Sequence, residues 1–195
     1  MTSIVLAGGR SLRFGRDKRF EVIAGESLIQ QVINHIATIS DEIIVVTAKE
    51  QTLPLSHPYR TIKTLADIYP GRGSLGGIYT GLTASTCFHS FVVACDMPFL
   101  NLALLRHMSE LADGFDIVIP RVNGNIEPLH AIYSKNCLAP IKESILQGKL
   151  RIADFFGTLK VRYIENSEVN RFDPHHLSFF NINTKSDIEK ARDWH

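Results

Sequence analysis

Short, wholly apolar runs alternate along the chain with segments whose apolar residues recur at helical spacing. Runs of this kind read as strands covered on both faces, and the alternation predicts an α/β fold with a largely parallel sheet. The first strand is expected over 3–7. Leu28, Ile29, Val32, Ile33, Ile36 and Ile39 then define a helical face over 27–39. Strands are expected over 42–47, where Ile-Ile-Val-Val stands, and over 62–65. A helix over 76–84 is opened by a glycine-rich loop. A strand over 91–95 empties into Asp96-Met97-Pro98, and Asn101 is placed to cap a helix through Leu111. A strand over 116–119 leads to Asn123-Gly124, a hairpin signal, with the returning strand over 129–133. Helices over 138–146 and 152–156, a strand over 160–164 and a helix over 185–194 complete the reading. No repeat, linker or low-complexity tract divides residues 1–195, so one domain is expected, with helices on both faces of the sheet.

Composition narrows the partners. Of 195 residues, 45% are hydrophobic and 21% charged, enough apolar material for a full core and too little charge for a disordered chain. The net charge of +1 gives no basic excess for a nucleic-acid surface. Cys87, Cys95 and Cys137 are odd in number and show no C-x-x-C pairing, which favours free thiols over a disulfide framework or a zinc knuckle. The eight histidines show no metal-ligand spacing either. No run approaches the ~20 apolar residues needed to cross a bilayer. The apolar start lacks the basic flank of a signal peptide. A soluble, cytoplasmic protein is expected.

The candidate chemistry begins where the first strand ends, at Leu6-Ala7-Gly8-Gly9-Arg10-Ser11-Leu12-Arg13-Phe14-Gly15-Arg16-Asp17-Lys18. Glycines allow close backbone approach to a ligand, and successive N–H groups make a nest for phosphate oxygens. Arg13 supplies a planar cationic fork and Lys18 a mobile point charge. The stretch suits a triphosphate. It matches neither common phosphate loop: Gly9 and Gly15 are too far apart for G-x-G-x-x-G, and Arg16 stands where the P-loop requires lysine. The missing dinucleotide fingerprint also disfavours a nicotinamide-dependent oxidoreductase.

Asp96 stands at the carboxyl end of an apolar strand, where open α/β sheets bind ligands. A carboxylate facing phosphates needs a hard cation between them, and Mg²⁺ bound by one or two carboxylates plus phosphates meets that need. Asp67 precedes a stretch with four glycines (Gly71, Gly73, Gly76 and Gly77), into which a base fits closely. Its two oxygens suit the ring N–H and exocyclic amine of guanine. Asn181, Asn183 and Thr184 precede the last helix, and each is able to cap it. Arg72, Arg121, His130 and Asn183 fall in loops or strand ends expected to face the crevice.

These motifs, in this order, resemble those of the molybdenum cofactor guanylyltransferases, the MobA-like nucleotidyltransferases. Leu6-Ala7-Gly8-Gly9, Ser11, Arg13, Gly15, Asp17 and Lys18 match that family's L-A-G-G-x-S-x-R-M-G-x-D-K opening. Gly73-Ser74-Leu75-Gly76-Gly77-Ile78 resembles its G-P-L-A-G-I, Cys95-Asp96-Met97-Pro98 its C-D-x-P, and Asn181-Ile182-Asn183-Thr184 its N-x-N-T. Phe14 replaces methionine, Ser74 replaces proline, and Thr47 occupies a strand end where some relatives contact nucleotide through asparagine.

The resemblance implies a three-layer Rossmann-like nucleotidyltransferase fold and GMP transfer from GTP to the terminal phosphate of molybdopterin. It implies nucleotide contacts from Leu6, Ala7, Gly8, Gly9, Lys18, Asp67 and Asp96, with Arg13, Lys18 and Asp96 catalytic and Mg²⁺ on Asp96. Asp17 would orient Lys18 or Arg13. Asn181 and Asn183 are acceptor-side candidates, and transient contact with other molybdenum-cofactor proteins is implied. The alternatives are transfer from CTP, activation of a sugar or polyol phosphate, and a nucleotide-binding module without turnover.

Overall fold

A computed structural model describes residues 1–8, 18–50, 53–55, 57–58 and 61–194. Among the described residues, ten strands and six α-helices run in the order β1 (Thr2–Leu6), β2 (Val22–Ile23), β3 (Glu26–Ser27), α1 (Leu28–Ile36), β4 (Glu42–Thr47), β5 (Ile62–Ala66), α2 (Gly73–Ala84), β6 (His89–Ala94), α3 (Leu102–Glu110), β7 (Ile117–Val122), β8 (Asn125–Ile126), β9 (His130–Ser134), α4 (Leu138–Leu146), β10 (Val161–Glu165), α5 (Asn166–Val169) and α6 (Lys185–Arg192). The main sheet has the order β10-β7-β9-β6-β1-β4-β5, with β8 beside β7. Strands β6, β1, β4 and β5 pair in parallel, as do β10 and β7. Within this sheet only β9 and β8 run against their neighbours. The mostly parallel sheet is as expected.

Alternation along the strands sends side chains to two helical layers. Val5, Val45, Phe91 and Val93 meet Ile29, Val32, Ile33 and Ile36 of α1 and Leu104, Leu105 and Met108 of α3. Ile4, Ile44 and Val92 meet Leu75, Ile78 and Leu82 of α2 and Ile141 and Ile145 of α4. Each fully buried aliphatic side chain contributes about 1.5–3 kcal/mol relative to exposure. This three-layer packing fixes the carboxyl ends of the parallel strands along one edge.

Two differences from the sequence reading bear on that edge. Helix α2 begins at Gly73, not at 76, so Gly73 also belongs to the helix and only Gly71 is left to the turn before it. Further along the helix the packing is close: a Cβ on Gly81 would lie 2.4 Å from Ile4 Cγ2, and one on Gly77 3.0 Å from Leu6 Cδ2. Helix α2 thus sits on β1 at a distance that only glycine permits. The second difference is an unforeseen hairpin, β2–β3, turning through Ala24 (φ 50°) and Gly25 (φ 90°). Asn123 (φ 50°) and Gly124 (φ 81°) form the expected turn, of type I′. It returns through the two-residue β8, and β9 starts only at His130. All three cysteines are thiols outside any disulfide. No helix among the described residues is long and apolar enough to cross a membrane.

Candidate functional site

Backbone hydrogen bonds past the strand ends draw four segments together. Ala7 N–H donates to Val46 O (2.8 Å), Cys95 N–H to Leu6 O (3.2 Å), Asp67 N–H to Thr47 O (2.7 Å) and Ile182 N–H to Asp96 O (3.0 Å). Leu6-Ala7-Gly8, Asp67, Asp96 and the 181–183 segment therefore share the carboxyl edge of the sheet, where such folds bind ligands. Gly8 is exposed, and a Cβ there would lie 3.3 Å from Ala48 N, so the chain leaves β1 close against the β4 tip. Gly9, Ser11, Arg13, Gly15 and Asp17 lie outside the described residues. Lys18 opens the short helical turn Lys18–Phe20. Next to it, Arg19 Nη1 donates to Ala7 O at 2.8 Å, tying the returning chain to the β1 tip. The motif reading passed over Arg19, although it directly follows the last residue of the glycine motif.

Asp67 lies half-buried between β5 and α2. Its Oδ1 accepts from Tyr69 N–H (2.8 Å) and faces the Thr80 hydroxyl (3.1 Å). Thr80, 4% exposed, also accepts from Ile68 N–H at 3.0 Å. Gly76 makes room for this carboxylate, since a Cβ there would meet Oδ2 at 2.7 Å. Tyr69 and Tyr79 pack edge to face beside it, with ring centroids 5.2 Å apart. Thr47 is not available to a ligand. It is fully buried, and its hydroxyl lies 2.6 Å from the Lys49 carbonyl.

Asp96 is half-buried in the turn after β6. It does not cap α3: Asn101 does, accepting from Leu104 N–H at 3.0 Å through its side chain. Among the described residues no cluster of three or more His, Cys, Asp or Glu is arranged to hold a metal. At the other end of the segment Thr184, not either asparagine, caps α6 in a reciprocal capping box with Asp187. Asn181 and Asn183 are thus relieved of capping, although the Asn181 amide donates to Phe179 O (3.1 Å). Beside this segment His175, His176, Leu177, Phe179 and Phe180, with Trp194 from beyond α6, line a cavity of about 630 Å³.

Two of the expected crevice residues are engaged elsewhere. His130 is fully buried with neither ring nitrogen hydrogen-bonded, its ring edge-on to Phe179 at 5.0 Å. Burial pushes its pKa down to about 4, against a weaker upward pull from Asp173, so it stays neutral. Arg121 pairs with Glu165 and lies over the Tyr163 ring, 4.5 Å from its centroid.

A parallel-sheet edge that gathers Leu6-Ala7-Gly8, a carboxylate at a strand tip and a second carboxylate beside a glycine-bearing helix is the setting of a nucleotidyltransferase. The family model for the MobA-like NTP transferase domain matches residues 3–161, and the chain belongs to that family. It is 35% identical over 193 residues to the molybdenum cofactor guanylyltransferase of Desulfosudis oleivorans, covering 98% of this chain and 94% of the relative. The crystal structure of molybdopterin-guanine dinucleotide biosynthesis protein A from Archaeoglobus fulgidus superimposes with a TM-score of 0.83 at 28% identity, covering 100% of this chain and 98% of that one. The 2-C-methyl-D-erythritol 4-phosphate cytidylyltransferase of Thermus thermophilus shares the fold alone, with a TM-score of 0.72 at 14% identity over 98% of this chain and 97% of that one. The fold by itself does not choose the base.

Proposed function

We propose that this enzyme transfers GMP from GTP to the terminal phosphate of molybdopterin, releasing pyrophosphate and forming molybdopterin guanine dinucleotide. The observation that carries this reading is full-length similarity to the guanylyltransferase relative, with Leu6-Ala7-Gly8, Asp67, Asp96 and Asn181-Ile182-Asn183 on one sheet edge. In this reading GTP lies over β1 and β5, with Gly8 and Gly9 letting the backbone approach it, Lys18 and Arg13 on its phosphates and Asp67 at the base. The acceptor approaches from the 181–183 side of Asp96.

The attacking phosphate is already an anion at neutral pH, so no strong base is required. The protein's work is to align the two phosphates and offset their charge. Arg13 and Lys18 take the charge that builds on the departing pyrophosphate. Mg²⁺ would be held by the Asp96 carboxylate together with substrate phosphates and would offset triphosphate charge when bound. The reading is tested by measuring pyrophosphate release with molybdopterin and Mg²⁺ from GTP, CTP and ATP in parallel. Release from GTP, with guanine appearing in the product, is expected. Preference for CTP would overturn the role of Asp67, and GTP binding without release would point to another acceptor.

A further inference from the structure

Guanine presents N1–H and its exocyclic amine side by side, and a carboxylate discriminates between bases only when its acceptor oxygens are held in a fixed direction. In Asp67 the hydrogen bonds on one oxygen supply that direction. An ionised carboxylate offers about two acceptor sites on each oxygen. Both on Oδ1 are spoken for, by Tyr69 N–H at 2.8 Å and Thr80 Oγ1 at 3.1 Å. The Thr80 hydroxyl has one proton, and it lies between Asp67 Oδ1 and the Gly76 carbonyl, 2.9 Å away. The charged acceptor makes the stronger bond and draws the proton. Thr80 is itself held in place by Ile68 N–H, its lone pair filled at 3.0 Å. The other oxygen, Oδ2, lies over the Cα of Gly76, where a Cβ would come within 2.7 Å.

We propose that Thr80 and Gly76 set the base preference of this enzyme by fixing Asp67 so that Oδ2 alone receives the donors of guanine. Thr80 is a positioning residue: it is 4% exposed and reaches the base only through Asp67. Gly76 supplies the space into which the carboxylate is turned. The β5–α2 turn and the base-reading group are thus one hydrogen-bonded unit. The inference rests on the proposed guanylyl transfer and on Asp67 reading the base.

The test compares kcat/KM for GTP and for ITP, which keeps N1–H but lacks the exocyclic amine. Wild type, Thr80→Val, Thr80→Ser, Gly76→Ala and Asp67→Asn are measured alongside their thermal unfolding. In the wild type, GTP is preferred. Thr80→Val is expected to lower the GTP/ITP ratio about tenfold, the size expected for one hydrogen bond to a charged group, mainly through KM for GTP. Thr80→Ser keeps the ratio because it keeps the hydroxyl, and Gly76→Ala lowers it by displacing the Asp67 carboxylate together with the Tyr69 carbonyl, 2.7 Å from the added Cβ. A folded Thr80→Val enzyme with the wild-type ratio, beside an Asp67→Asn enzyme that has lost it, overturns the positioning role. An unchanged ratio in Asp67→Asn removes Asp67 from base reading, and this inference with it. A wild type that transfers nothing from GTP instead overturns the proposed function itself.

Discussion

The carboxylate of Glu42 makes the strongest stability prediction. It sits at the amino end of β4, far along the sheet from Asp67 and Asp96, with its side chain 12% exposed. Oε1 accepts from Lys63 Nζ (2.6 Å), and Oε2 from Thr2 Oγ1 (2.8 Å), Thr86 N–H (3.0 Å) and Thr86 Oγ1 (2.9 Å). Burial alone would raise its pKa, but the hydrogen bonds from Lys63, Thr86 and Thr2 outweigh it and lower it from 4.5 to about 2. At about 1.36 kcal/mol per pH unit this is about 3 kcal/mol at neutral pH. Solvent screening of the half-exposed Lys63 reduces it to about 2 kcal/mol. Because the carboxyl ionises more readily in the folded chain, its contribution is complete above pH 4.5 and drains away as pH falls toward 2. Glu42→Gln should therefore cost about 2 kcal/mol in urea unfolding at pH 7, and less than roughly half of that at pH 3, with turnover unchanged. A deficit that is equal at both pH values would refute the reasoning.

Three further expectations follow from single features. His130 is buried neutral, and its pKa of about 4 lies below the ordinary 6.5. Protonation of the unfolded chain should cost about 3 kcal/mol of stability as pH drops from 6.5 to 4, and a folded His130→Leu protein that keeps that slope would assign it elsewhere. Gly81→Ala should cost about 1–2 kcal/mol, overpacking against Ile4 exceeding the gain in helix propensity. In an Ile4→Ala background the same change should become favourable, which a double-mutant cycle by urea unfolding measures. Asp96→Ala should lower turnover ~10²–10³-fold. Near-normal turnover in the presence of Mg²⁺ would remove Asp96 from the chemistry.

Much of the architecture was legible from apolar spacing. Strand β4 and helix α4 occur over the expected residues because Ile-Ile-Val-Val has no alternative to burial, and Ile141 and Ile145 share one helical face. The start of α2 was not legible. Gly71 and Gly73, both at positive φ, read as loop by propensity, which draws the first residues of the helix into the turn before it. The β2–β3 hairpin escaped notice because strands of two residues carry no period. At the site, Asp67 and Asp96 were readable from their places at strand ends. Thr80 was not, since it is an ordinary threonine until β5 folds beside it. Nothing in the spacing of Arg121 revealed its pairing with Glu165, 44 residues further along.

The interior position of β1, between strands that follow it in the chain, also has a consequence for how the chain is made. Its two neighbours are β4 and β6, so Leu6 does not gain its partner Ala94 until nearly half the polypeptide exists. At ribosomal speeds of about 5–20 residues per second, that is a wait on the order of ten seconds with an apolar strand edge open. During synthesis the nascent chain offers a ready template for pairing with another copy of itself. Yield in a cell should accordingly depend on holdase chaperones and on slow, cool expression more than the finished enzyme's stability would suggest.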